Sequence, residues 1–189
     1  MTLELNDVLL RGEEQTLSLL ASEGQMTCIV GGTAERRTHW LYALMGFEQP
    51  VAGFISVDGE PLTGGCIAHL RRHLAFAPSS LETVGQIVAY EPPTLHDVLS
   101  LRCNRHLAEA DIDGECRRTG ATGQKALLLA LAAMRKTAVL VVDSPSGESA
   151  HYLHQVAVHD GRTVITATDD ARVIGRADNI VELDSETSI

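Results

Sequence analysis

The feature that most constrains the fold of this chain is the alternation of short apolar runs with helix-like stretches. Leu74–Ala77, Val139–Val142 and Thr163–Ala167 have the length and the apolar content of buried strands. Leu127–Met134 has the composition of a packed helix, and strands separated by helices predict an α/β fold with parallel pairing. The opening differs, because apolar residues alternate through Leu3, Leu5, Val8 and Leu10 and resume at Leu17, Leu19 and Leu20 beyond the turn-like Arg11-Gly12-Glu13-Glu14. That pattern predicts an N-terminal antiparallel β portion, to which Phe54–Val57 and the Asp58-Gly59 turn add a further strand. Asn179–Leu183 reads as an edge strand. The stretch from Tyr90 to Arg118, with Pro92-Pro93 and many charges, is the least regular, and a reduced helical lobe is expected over about residues 85–125.

A chain of 189 residues, 44% of them hydrophobic, can bury a proper core, and a single domain over 1–189 is the simplest organisation. A formal net charge of -10 argues against nucleic acid as a partner, since phosphate neutralisation needs a basic surface. The one dense basic run, Arg71-Arg72-His73, reads as a solvated helix face. Cys28, Cys66, Cys103 and Cys116 form no C-x-x-C pair, the first residues are acidic, and no apolar run approaches the roughly 20 residues of a membrane span. A reducing cytoplasm is the expected compartment. Membrane contact would then come through a partner. His69 and His73, and the cluster His151, His154 and His159, lack the accompanying Cys, Asp or Glu spacing of a metal site.

Between the strand-like Met26–Val30 and the helix-like Thr38–Met45 lies Gly31-Gly32-Thr33-Ala34-Glu35-Arg36-Arg37-Thr38. Strand, glycine turn and helix form the setting of the phosphate-binding pattern G-x-x-x-x-G-K-[ST], whose amides surround an anion that the lysine reaches from the loop. Gly31 and Thr38 satisfy the pattern, whereas Arg36 replaces its second glycine and Arg37 its lysine. A side chain at Arg36 would strain a left-handed loop, and the forked guanidinium of Arg37 is expected to meet a phosphate from outside it. Thr38 also suits an ordinary helix N-cap.

In this order the features resemble the nucleotide-binding domain of ATP-binding-cassette (ABC) transporters over nearly the whole chain. The stretch from Leu44 to Gly59 is similar to the family's first helix end and following strand with its D-G turn. Leu70–Pro78 resembles the approach to the Q-loop, with Ser79 in the glutamine position. Gly120-Ala121-Thr122-Gly123-Gln124-Lys125 resembles the L-S-G-G-Q signature, of which Gly123 and Gln124 match. Ala138–Asp143 resembles a Walker B strand, with Ser144 where the catalytic glutamate stands. Ala150 falls at the D-loop acid, and Asp169 at the H-switch histidine.

The resemblance implies a P-loop NTPase-like three-layer core with a mostly parallel sheet. It also implies ATP contacts at Gly31, Gly32, Arg36, Arg37, Thr38, Gly123 and Gln124, magnesium at Asp143, and pairing with another nucleotide-binding domain and a transmembrane subunit. With Ser144 lacking the charge of a general base, hydrolysis is expected to be weak or absent. The residues leave other readings open. Asp143 could end a strand or cap a turn, Gly123 and Gln124 could open a helix, and Trp40 and Tyr42 could fill the core. A non-catalytic scaffold that binds protein partners is the alternative function. An unrelated enzyme would need a new acid, base or nucleophile constellation, and His151, His154 and Asp160 read better as a helix face.

Overall fold

The computed structural model describes residues 1–80 and 112–184, with side chains described from residue 123 onward in the second segment. The first segment runs β1 (Leu3–Leu9), β2 (Leu17–Ala21), β3 (Met26–Gly31), α1 (Ala34–Leu44), β4 (Ala52–Val57), β5 (Glu60–Pro61), α2 (Gly64–Arg72) and β6 (Leu74–Ala77). The second contains α3 (Ile112–Met134), β7 (Val139–Asp143), a 3-10 turn at Gly147–Ser149, α4 (Ala150–Asp160), β8 (Thr163–Ala167), α5 (Ala171–Ile174) and β9 (Asn179–Leu183).

The central sheet is parallel in the order β6-β7-β8-β3-β9, and an antiparallel sheet in the order β2-β1-β4-β5 stands beside it. Every residue of β7 and β8 is buried, as expected of parallel strands covered on both faces. The pleat then divides their side chains between two cores. Val139, Val141 and Ile165 join the antiparallel sheet and the α1 residues Trp40, Leu41 and Leu44 on one face. Leu140, Val142 and Val164 meet Leu129 and Ala133 of α3 and Leu153 and Val156 of α4 on the other. This is the three-layer α/β, P-loop NTPase-like arrangement expected from the strand and helix pattern, with the antiparallel N-terminal portion and the edge position of β9 as anticipated.

Two local expectations differ. Thr38 does not start α1, because the N-cap is Thr33, whose hydroxyl accepts from the Arg36 amide at 3.2 Å. Glu35 in the first turn adds a favourable charge at the same end. Gly123 and Gln124 do not open a helix either, since α3 begins at Ile112 and carries them in its interior. Of the expected helical lobe, residues 85–111 lie outside the described residues, as does Cys103.

Candidate functional site

The carboxyl ends of β3, β7 and β8 converge on the N-terminal half of α1, where open α/β sheets gather ligand-binding residues. At β3 the chain turns through Gly31 at φ 78° and Gly32 at φ 55°. A Cβ on Gly31 would lie 2.4 Å from the Leu183 carbonyl oxygen of β9, so the glycine is required both for its dihedral and for the close strand beside it. Helix α1 begins soon afterwards. Its early start consumes amides that a phosphate would otherwise use, as the Arg36 N–H is capped by Thr33 and the Arg37 N–H donates to the Thr33 carbonyl at 3.0 Å.

Arg36 does not occupy a left-handed position. It is helical, so the backbone penalty expected at that residue does not arise. Its guanidinium instead donates to Glu13 on the β1–β2 turn, from Nε at 2.7 Å and from Nη2 at 2.5 Å, and to the Asp184 carbonyl at 2.6 Å. The Glu13 side chain is only 4% exposed, and the pair fastens that turn across the start of α1. Beside it, Arg11, Gly12, Thr33, Glu35 and His39 line an open cavity of about 390 Å³.

Arg37 likewise departs from its expected placement, because it lies inside the loop. Its Nη1 donates to the Gly31 and Gly32 carbonyls at 3.0 Å each, and its Nη2 reaches Asp169 Oδ2 at 3.2 Å. The guanidinium is buried, and Asp169, in the turn after β8, is largely exposed. The loop therefore presents carbonyl oxygens to a cation rather than amides to an anion. Arg37 and Asp169, each of which departs from the family's residue at its position, are partners of each other.

Asp143 closes β7 and is buried. Its Oδ1 accepts from the Ser144 hydroxyl at 3.1 Å, and its Oδ2 lies 3.0 Å from Thr38 Oγ1, which is also 3.0 Å from the Ala34 carbonyl. Thr38 and Asp143 are thus brought together, while Ser144 sits at φ 48° with its carbonyl accepting from Lys125 at 3.0 Å. A buried carboxylate flanked by hydroxyl oxygens is a donor set suited to a hard divalent cation. Tyr42 packs edge-on against Phe47 and Phe76, and burial, reinforced by the Asp143 charge, pushes its phenol up to about 12. Burial also raises the Cys28 thiol, against smaller opposing effects of a Thr166 hydrogen bond and the Arg37 charge.

Trp40 is core, and Tyr42 is a partly buried neighbour of that core. Gly123 and Gln124 lie on α3, far from the loop in sequence. His69 and His73 bring their rings to 4.6 Å, but no group of three or more His, Cys, Asp or Glu able to hold a metal occurs among the described residues. Sequence reasoning missed Glu13 and Lys125. Glu13 had no visible signal beyond its place in a turn.

No family model matches the chain. It is 27% identical over 195 residues to an ATP-dependent lipid A-core flippase of Cupriavidus metallidurans, covering 89% of this chain and 32% of that protein. A flippase of the same description from Ralstonia nicotianae is 25% identical, so the chain spans about a third of the length of these relatives. An uncharacterised ABC transporter ATP-binding protein of Haemophilus influenzae is 23% identical, with 98% of this chain and 81% of that protein covered. In structure, an ATP-binding subunit of an ABC transporter matches with a TM-score of 0.68 at 18% identity, covering 97% and 86% of the two chains. A dimeric bacterial ABC transporter cassette matches with a TM-score of 0.66 at 18% identity, covering 96% and 94%. In sequence along almost its full length, and in fold, this chain is similar to ATP-binding proteins of ABC transporters.

Proposed function

We propose that this chain is a degenerate ABC-type ATP-binding subunit that does not turn over ATP by itself and works beside a competent nucleotide-binding domain. One observation carries this reading: the Arg37 guanidinium fills the turn of the loop, bonded to the carbonyls of Gly31 and Gly32 and to Asp169. An incoming phosphate chain must displace it and recover amides already committed to Thr33. Magnesium nucleotide would be held chiefly by Thr38 and Asp143, whose oxygens suit the cation, with Arg36 and Arg37 as the nearby positive charges. The cation would screen the phosphates. Ser144 offers no negative charge to polarise an attacking water, and its hydroxyl donates to Asp143, the carboxylate that would hold the cation.

In an asymmetric pair, Gly123 and Gln124 would face the nucleotide of the partner, and a membrane-spanning subunit would dock on the assembled pair at the cytoplasmic face. No described helix is long and apolar enough to cross a membrane. The scaffold reading is favoured by the same filled loop, and the two separate by calorimetry. Titration with ATP and magnesium should give Kd values in the millimolar range, weakened further by Asp143→Ala, with no turnover in a phosphate-release assay. Absence of heat at millimolar nucleotide leaves the scaffold function, while micromolar binding or turnover abolished by Asp143→Ala contradicts the proposal.

A further inference from the structure

The geometry points to an internal anion in this site: the Asp169 carboxylate occupies the face of Arg37 that a phosphate chain would need, and so latches the loop shut. The inference rests on the reading of Gly31–Thr38 as an ABC-type phosphate loop. Arg37 Nη1 is fully engaged by two loop carbonyls, so its charge can be offered to a ligand through the remaining edge of the fork. Asp169 takes Nη2 of that edge at 3.2 Å. The other donor there, Nε, is buried with no hydrogen-bond partner. A guanidinium that is 5% exposed and retains an unpaired Nε is under-satisfied by its own fold, and a forked anion with more oxygens would satisfy it better than one carboxylate oxygen does.

Asp169 is suited to move. Its side chain is 84% exposed, it belongs to the short turn between β8 and α5, and the backbone of that turn is fixed independently of it. The Thr168 amide donates to the Ile29 carbonyl at 3.1 Å, and Thr168 Oγ1 accepts from the Asp170 amide at 3.1 Å. Asp170 caps α5 through the Arg172 amide at 2.9 Å. Releasing the Asp169 side chain therefore breaks the ion pair without unfolding the turn. The same carboxylate repels any phosphate that approaches Arg37 while it is in place, so its removal acts twice, by freeing the donor and by lifting the repulsion.

The test is the affinity of the full chain for inorganic pyrophosphate and for magnesium ATP, measured by calorimetry on the wild type, Asp169→Asn, and Glu60→Gln, which removes one negative charge from the exposed strand β5 of the outer sheet. Asp169→Asn should bind both probes about tenfold more tightly than wild type, and Arg37→Gln combined with Asp169→Asn should lose that gain. Thermal melting of each variant confirms that the compared proteins are folded. If Asp169→Asn gains nothing while wild-type binding is weak, the latch is wrong and the degenerate-subunit reading stands. If Glu60→Gln gains as much, or the gain survives loss of Arg37, the effect is one of net charge and the latch is again wrong. Micromolar binding by the wild type overturns the reading of the loop on which the latch depends.

Discussion

The two halves of the site at the carboxyl end of the sheet have been treated differently. On the β7 side, Asp143 is buried and its hydrogen-bond partners among the described residues are the neutral hydroxyls of Thr38 and Ser144, so its charge remains available to a cation. On the β3 and β8 side, Arg36 is matched by Glu13 and Arg37 by Asp169, so each positive charge already has its anion. Strand ends deliver side chains to one place whatever those side chains are. Strand ends can thus keep one geometry while the charges at one half are paired internally and the carboxylate at the other is left with neutral partners.

The largest effect should come from breaking an internal pair that is buried. Arg36→Ala leaves the Glu13 carboxylate enclosed without its cation, and a loss of about 3 kcal/mol is expected in urea denaturation. Arg36→Lys should recover only part, because one ammonium cannot reproduce the fork. A loss below about 1 kcal/mol would mean that the turn is held by other contacts. Next is the loop itself: Gly31→Ala places a Cβ against the Leu183 carbonyl at φ 78°, which should cost roughly 2 kcal/mol and be read in the same assay.

On the β7 half, Thr38→Val removes the hydroxyl beside Asp143 and should cost about 1 kcal/mol, with a further loss of any magnesium-dependent nucleotide binding. Tyr42 reports on the same carboxylate. Its folded pKa lies above the ordinary phenol value, so its contribution to stability is complete below pH 10 and is lost as pH rises towards about 12. Ultraviolet titration should show Tyr42 ionising later in wild type than in Asp143→Asn, although burial remains the larger cause of the shift. The smallest effect on stability is expected for Asp169→Asn, within about 0.5 kcal/mol, because the carboxylate is mostly in water. A large loss there would show that the pair is structural and would blur the contrast between the halves.

The layers of the fold were legible because burial on both faces writes itself into the sequence, as in β7 and β8 where every residue is buried. The antiparallel opening followed instead from the period-two alternation through Leu3, Leu5, Val8 and Leu10. The start of α1 was misplaced by several residues, since both Thr33 and Thr38 are competent caps and the choice depends on which backbone amide the hydroxyl reaches. Asp143 and Thr38 were located as members of one site by their motifs. The Arg37–Asp169 pair was not, because its members are 132 residues apart and only the parallel order of β3 and β8 brings them together. Glu13 was hidden for the same reason, as a turn residue gives no hint of the helix against which it will rest.

The central question is whether Arg37 or a phosphate occupies the loop. A crystal structure of the wild-type chain grown with millimolar ATP and magnesium decides this directly. The guanidinium is expected to remain within hydrogen-bond distance of the Gly31 and Gly32 carbonyls and of Asp169, with no phosphate inside the turn. A phosphate held by the amides of residues 32–37, with Arg37 swung away from those carbonyls, would contradict it.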